Sequence, residues 1–403
     1  MRILQLCNRV PWPPNDGGAI AMINMTRGFY NSGLELHLLC LNTRKHHVSV
    51  QDLPEIFKNL ASFKAVDINT DITTLGAAFN LVFTQQSYNI SRFYSKDFER
   101  ELIKTIESQE FDVIQIEGLH LCLYINTIRK YSKAKISLRA HNLEYLIWER
   151  LADAERNPVK RMFLNILTKR LLNFEAKAIK KVDFLIPITE ADADFFREME
   201  TNAAIFVSPA GLDLEDYIID RSKKEWPGIF HLGALNWMPN VQGIEWFLKE
   251  IWPDLHGAFP KLKFYLAGRS MPDWLKKLDR VGVVPIGEVD SAVDFMNSKS
   301  IMLVPLLSGS GMRIKIIEGM ALGKTIISTS IGAEGIDYED ETNILIADEP
   351  EEFINVIKKC INNPEFANRI GKNARQLAEK EYSNKSLIGK LIGFYEEKIK
   401  LKN

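Results

Sequence analysis

Residues 300–329, SIMLVPLLSGSGMRIKIIEGMALGKTIIST, decide the fold, because they read in succession as strand, glycine loop, helix and strand. SIMLV (300–304) and TIIST (325–329) are short apolar runs of the buried-strand kind, and Met312 to Leu322 between them has helical spacing. Two strands joined through a helix make the repeating unit of a parallel sheet. Gly309 and Gly311 free the loop backbone for close approach to a ligand, and backbone N–H groups converge where the helix begins. Arg313 and Lys315 stand in the first turn, where cations oppose the helix dipole at a cost of roughly 0.3–1 kcal/mol each. A bound anion is the simplest reason to keep them. Glu318, one turn beyond Ile314 and Lys315, is placed to accept hydrogen bonds from a sugar hydroxyl. GlyLysThr at 323–325 imitates the tail of a phosphate-binding P-loop. The position five before Gly323 is Glu318 rather than glycine, and helix precedes strand, so that reading is discarded.

The same rhythm extends outward in both directions. Upstream come GIFHLG (228–233), a helix over 241–252, LKFYLAG (262–268), a helix after Pro272, VGVVPIG (281–287) and a helix over 290–297. The first half alternates likewise, with strands ILQLC (3–7), LELHLLCL (34–41), DVIQI (112–116) and KISLRA (135–140), and a helix from Ala19 to Asn31 closed by Gly33. After a basic helical stretch at about 158–181, DFLIPIT reads as the last strand of that half. Alternating strands and helices imply α/β architecture, with helices on both faces of each parallel sheet. A chain of 403 residues exceeds one ordinary core, so two doubly wound domains are expected, at 1–205 and 206–383. Such sheets bind ligands beyond the carboxyl ends of their strands, which makes a cleft between the domains the expected site.

Composition narrows the classes. Lys+Arg 51 against Asp+Glu 52 leaves no overall field to attract nucleic acid. Cys7, Cys40, Cys122 and Cys360 are far apart with no CxxC, which suggests neither a zinc site nor a disulfide framework. No apolar run approaches the ~18 residues of a spanning helix, and MRILQLCNRV lacks the apolar core and cleavage site of a leader. A reducing, cytoplasmic protein is expected, with no resident metal.

The 300–329 segment resembles the donor-site signature of glycosyltransferase family 4, retaining enzymes of GT-B fold in which a loop and helix grip a nucleotide sugar. The usual pattern has two glutamates eight positions apart. Here the second matches Glu318 and the first falls on Ser310, as in a branch that writes GSG-x-R-x-K-x-x-E. The resemblance implies two Rossmann-like domains facing across a cleft, an acceptor-binding first domain, a donor-binding second, and a terminal helix at 384–400 crossing back to the first. Leu387, Leu391, Phe394 and Tyr395 repeat on one face of that helix.

Further elements fit the resemblance. NRVPWPPNDGGAIAMINM (8–25) opens a helix at Gly17 and Gly18, where the family places a glycine pair in the cleft. RAHNLEYLIWER (139–150) sets His141 just past a strand end, and the family's histidine there meets the donor sugar. Asn142 and Glu144 match the same branch, and Glu144 also reads as a helix N-terminal charge. FVSPAGLDLEDY (206–217) resembles the family's P-N-G-V-D element through Pro209, Gly211 and Asp213. FHLGALNWMPNVQGIEWFL (230–248) departs from the family's G-R-x-x-x-x-K-G, because both cations are absent. Arg313 and Lys315 then become the candidates for neutralising phosphate, while Gly233, Ala234 and Asn236 pack on the donor. Ser310, Gly311 and Met312 complete the donor loop, and Gly287, Glu288 and Val289 are assigned to the base pocket.

The expected function is transfer of a sugar from a nucleoside diphosphate sugar, with UDP or GDP, to a saccharide or lipid-linked saccharide acceptor. Arg313, Lys315 and the helix N-terminus would stabilise the leaving diphosphate, with no metal and no cofactor beyond the donor. A sugar-nucleotide epimerase of GT-B fold and a catalytically silent nucleotide-sugar binding partner are the alternatives. Residues 73–95 and the cations Lys160, Arg161, Lys169 and Arg170 read either as buried helix and solvated charge face or as a peripheral contact with the inner face of a membrane.

Overall fold

The computed structural model describes residues 1–220, 222, 224–309 and 311–400, the side chains of Thr74, Leu75, Ala78 and Ala154 excepted. The chain divides into two units, one of Met1–Pro209 joined by the segment that begins at Leu387, the other of Ala210–Ser386.

In the first unit the apolar runs become β1 (Arg2–Cys7), β2 (Glu35–Thr43), β3 (Ser62–Ile68), β4 (Val113–Glu117), β5 (Lys135–Ala140), β6 (Phe184–Pro187) and β7 (Ala204–Ile205). Among the described residues they form one seven-stranded sheet in the order β3-β2-β1-β4-β5-β6-β7. Every neighbouring pair is parallel. Ile3 to Cys7 are wholly buried because helices cover both faces of the sheet, which is why the central strands read as mainly apolar runs, with Gln5 and Gln115 among the buried polar exceptions. The Asn384–Lys400 helix contributes Ile388, Leu391 and Tyr395 to a cluster with Ile3, Phe29, Val113, Phe184 and Ile186. Tyr395 Oη also bonds Gln115 Oε1 at 2.9 Å and Ser137 Oγ at 2.7 Å.

The second unit repeats the plan with β8 (Gly228–Leu232), β9 (Lys263–Ala267), β10 (Val283–Gly287), β11 (Ile301–Val304), β12 (Thr325–Ser328) and β13 (Leu345–Ile346). Their order is β10-β9-β8-β11-β12-β13, again all parallel. In both sheets the order reverses beside the first strand of the unit, between β1 and β4 and between β8 and β11. The loops leaving those strands therefore diverge and open a crevice at their carboxyl ends.

Several elements differ from the sequence reading. DFLIPIT is followed by a further strand, β7, and β13 also goes unanticipated; each has two residues, too few to show a period. β3 lies at an edge with its side chains half-exposed, so it lacks the apolar density of a central strand. The helix expected over 241–252 is Met238–Trp246, a wide turn over Phe247–Ile251, and then Trp252–Ala258. Pro253 has no N–H for a regular helical bond, and the wide turn precedes it.

Candidate active site

In the second unit the site is built from strand ends. Gly268 N–H donates to the Gly287 carbonyl at 2.7 Å, and Gly233 N–H to that of Ala267 at 3.1 Å, which ties together the exits of β8, β9 and β10. Gly268 has φ +145°, and a Cβ there would lie 1.7 Å from the Gly233 carbonyl oxygen, so only glycine fits. Beyond β10, Glu288 is exposed and Val289 half-buried.

The loop after β8 carries no cation, yet it holds one. Asn240 Nδ2 donates to the Ala234 carbonyl at 2.8 Å, while its Oδ1 accepts from Lys315 Nζ, also at 2.8 Å. Lys315 Nζ lies 3.4 Å from His231 Nε2, and His231 Nδ1 lies 3.0 Å from the Leu303 carbonyl. A proton on Nδ1, donated to that carbonyl, leaves Nε2 as a lone pair facing the ammonium. Burial first and the Lys315 charge second hold the His231 imidazole well below its ordinary range. A Cβ at Gly233 would sit 3.1 Å from Lys315 Nζ and 2.8 Å from Asn240 Nδ2, so this glycine makes room for the pair. Asn236 is exposed on the same loop.

Arg313 caps the Ile314–Ala321 helix, and Lys315 is its second residue. The buried Arg313 guanidinium donates to the Gly311 carbonyl and lies 5.1 Å from the centroid of the Trp237 ring. Gly309, at φ +123°, makes this possible, since a Cβ there would come within 2.5 Å of Arg313 Nη2. Met312 is half-buried beside it. Ser310 lies outside the described residues. Burial, then the charge of Arg313, lowers Lys315 to about 7 against the pull of Glu318. Glu318 Oε1 accepts from Tyr217 Oη at 2.9 Å. Burial raises its carboxyl to about 7, against the opposing effects of Tyr217 and Lys315.

The first unit places His141 directly after β5, with Nε2 at 2.9 Å from Glu117 Oε2 at the end of β4. Glu117 is wholly buried and also accepts from Gln5 Nε2 at 2.9 Å and from Gln115 Nε2. Burial pushes this carboxyl up. The His141 hydrogen bond, the charges of His141 and Arg139 and the Gln115 contact together pull it below its ordinary value. An ionised Glu117 takes the proton on Nε2, so a neutral imidazole would keep Nδ1 as an acceptor. Gly17 and Gly18 open the Gly17–Asn31 helix, capped by Asp16 Oδ1 on Ala19 N–H at 3.1 Å. Arg9 pairs with Asp16, and a Cβ at Gly18 would meet Arg9 Nη2 at 2.9 Å. A cation thus lies against the glycine pair. Glu144 begins the Glu144–Ala154 helix, whose N–H groups at Glu144 and Tyr145 are taken by Glu175 at 3.3 Å each. That helix terminus is satisfied by the protein's own Glu175 side chain.

The structure therefore gathers Gly233, Ala234, Gly311, Arg313, Lys315 and Glu318 at the exits of β8 and β11, and places His141, Gly17 and Gly18 in the other unit. Sequence reading missed Asn240, His231, Tyr217, Trp237, Arg9 and Glu117. Glu117 at the end of β4 and His231 in the otherwise apolar run of β8 were the visible signals among them, because a buried ionisable group requires partners.

Comparison with known proteins places these observations. Residues 227–363 match the family model described as glycosyl transferases group 1. An uncharacterized 44.6 kDa protein in the cps region of Klebsiella pneumoniae is 21% identical over 404 residues, covering 97% of this chain and 99% of that protein. Among solved structures, Anabaena Alr3699/HepE in complex with UDP superposes with a TM-score of 0.66 at 13% identity, over 98% of this chain and 100% of that one. Sucrose-phosphate synthase from Thermosynechococcus elongatus gives a TM-score of 0.68 at 13% identity, over 98% and 99%. Two parallel-sheet units and these neighbours establish the GT-B fold, and with the match at 227–363 the chain carries a glycosyltransferase group 1 domain.

Proposed function

We propose that the chain is a retaining glycosyltransferase of family 4 type, moving a sugar from a nucleoside diphosphate sugar to a hydroxyl acceptor in polysaccharide or glycolipid assembly. The observation that carries this reading is the pair Arg313 and Lys315 at the start of the Ile314–Ala321 helix, within the matched domain. One is packed on Trp237 and the other is held by Asn240. Cations already held by the fold stabilise charge that grows on the leaving diphosphate without reorganising at the moment of reaction. The helix N-terminus adds to them. Glu318, oriented by Tyr217, accepts from a ribose hydroxyl, and His141, oriented by Glu117, accepts from a hydroxyl of the donor sugar. The acceptor attacks from the leaving-group side and its proton passes to the diphosphate, so no protein nucleophile is required.

UDP is the first candidate, because the HepE structures are of complexes with UDP, UDP with glucose, and UDP-glucose. Thermal-shift screening of the purified protein against UDP-, GDP-, ADP- and dTDP-sugars tests the reading. A ligand at 100 times its Kd adds about 2.7 kcal/mol of stability. One base should stand out, and the same donor should be transferred or slowly hydrolysed. Product formed from the donor alone, with its nucleotide intact, would instead identify an epimerase. Absence of any shift and of any turnover would overturn the proposal.

A further inference from the structure

We propose that Tyr395, on the Asn384–Lys400 helix, is a positioning residue for the candidate site: through Gln115 and Glu117 it fixes the orientation and tautomer of the His141 ring. The inference rests on the transferase reading only for what His141 does, and the relay itself can be measured without a donor.

The relay is built on a polar row that the fold buries. Gln5 on β1 stands directly opposite Gln115 on β4, and Gln115 opposite Ser137 on β5, so one rung of three parallel strands is polar. All three residues are wholly buried. Apolar residues would fill such a rung without needing partners, whereas each group of a buried polar row costs stability unless it is bonded. Glu117 lies two residues after Gln115, on the same face of β4. Its Oε1 accepts from Gln115 Nε2 and, at 2.9 Å, from Gln5 Nε2, and its Oε2 faces His141 Nε2 at 2.9 Å. With Gln115 Nε2 turned to the carboxylate, Gln115 Oε1 can only accept, so Tyr395 Oη donates to it at 2.9 Å. That bond commits the one Tyr395 proton, and Ser137 Oγ at 2.7 Å then donates to Oη. Ser137, Tyr395 and Gln115 form one chain of donors that ends on Glu117.

The titratable groups facing Glu117 are His141, Arg139, Cys7 on β1 and Tyr395 itself. Arg139 Nε stands 3.9 Å from Oε2, beyond hydrogen-bond reach, so it gives charge while the glutamines and His141 give the bonds. A buried carboxylate that loses a donor binds a proton from solvent more readily. Protonated Glu117 would donate to His141 Nε2, and the neutral ring would then carry its own proton on Nδ1, the atom that accepts from the donor sugar. A phenol on another element thus decides which nitrogen of His141 is free.

Tyr395→Phe tests this, because it keeps the ring stacked on Phe184, at 5.3 Å between centroids, and removes only the hydroxyl. Gln115→Met keeps the volume and removes the donor to Glu117. In protein labelled with nitrogen-15 histidine, the His141 signals are those that vanish in His141→Ala. Above the pH at which the ring loses its charge, the wild type should show a protonated Nε2 and a bare Nδ1. In both variants the two signals should move toward each other as the tautomers mix. With donor present, each variant should lose about three- to tenfold in kcat while UDP affinity stays within about twofold. The acid limb of the kcat profile should rise by about half to one pH unit. In the His141→Ala background, Tyr395→Phe should change kcat by less than about twofold. The proposal is overturned if wild type and Tyr395→Phe give identical His141 signals. It is also overturned if Tyr395→Phe costs the same factor in kcat with and without His141, as damage to packing would. If the wild type turns over no donor, the transferase reading falls and the ring signals still decide the relay.

Discussion

Lys315 is a cation held in a place that disfavours its charge. Burial and the neighbouring Arg313 bring it to about 7, so near neutral pH it is poised between ammonium and amine. A diphosphate beside it favours the ammonium, and binding above pH about 7 should therefore take up a proton. Affinity for UDP should be greatest below that pH and fall, by up to about tenfold per unit, as pH rises above it. Calorimetric titration at about pH 8 in two buffers of different ionisation heat measures the uptake; affinity unchanged from about pH 6.5 to 9 would refute the role. His141 makes a different prediction. If it meets the sugar and not the nucleotide, His141→Ala should depress turnover while UDP affinity stays within about twofold, and a parallel loss of both would place it elsewhere. Arg313 and Lys315 could be singled out in the sequence because they closely follow two glycines, where helical spacing begins. Asn240 was not, since it meets Lys315 across 75 residues, and an asparagine in a loop announces no partner. Glu117 meets His141 across 24 residues, and only the pairing of β4 with β5 brings them together.

At the scale of elements, the central strands and the helix between β11 and β12 could be read, because burial on both faces leaves mainly apolar runs and the helix leaves its own spacing. Of the edge strands, β10 could be read from VGVVPIG, whereas β3, β7 and β13 could not, since two-residue pairings and half-exposed side chains carry little signal. The Glu144–Ala154 helix shows how an element's stability hangs on a residue from another element. Glu175, buried on the Pro158–Ile179 helix, takes its first N–H groups, and burial followed by the charge of Glu144 raises the Glu175 carboxyl to about 8 from an ordinary 4.5. A group raised in the folded state holds its proton more tightly there than in the unfolded chain. Its stabilising contribution is full below pH about 4.5 and is lost as pH rises through about 8. Glu175→Gln keeps a carbonyl acceptor but cannot ionise. The wild type should therefore lose melting temperature between about pH 5 and 8.5 relative to the variant, and parallel profiles would show that Glu175 does not titrate in that window.

At the scale of the molecule, two sheets of the same plan each reverse strand order beside their first strand, and each gathers its candidate residues at the strand exits. Two domains, parallel sheets and a crevice at carboxyl ends followed from the alternation of strands and helices. Sugar, base and acceptor did not, because readout through backbone groups and exposed turns leaves little trace in residue types. The central claim is that Arg313 and Lys315 carry the charge compensation that the neutral loop after β8 does not supply. The most direct measurement is the affinity of UDP and of uridine for the wild type, Arg313→Ala and Lys315→Ala, with turnover of the donor followed in parallel. Charge-assisted contacts of roughly 1.5–3 kcal/mol predict that each variant loses about ten- to a hundredfold in UDP affinity and transfer while uridine affinity holds. Normal UDP affinity and turnover in both folded variants would contradict the assignment.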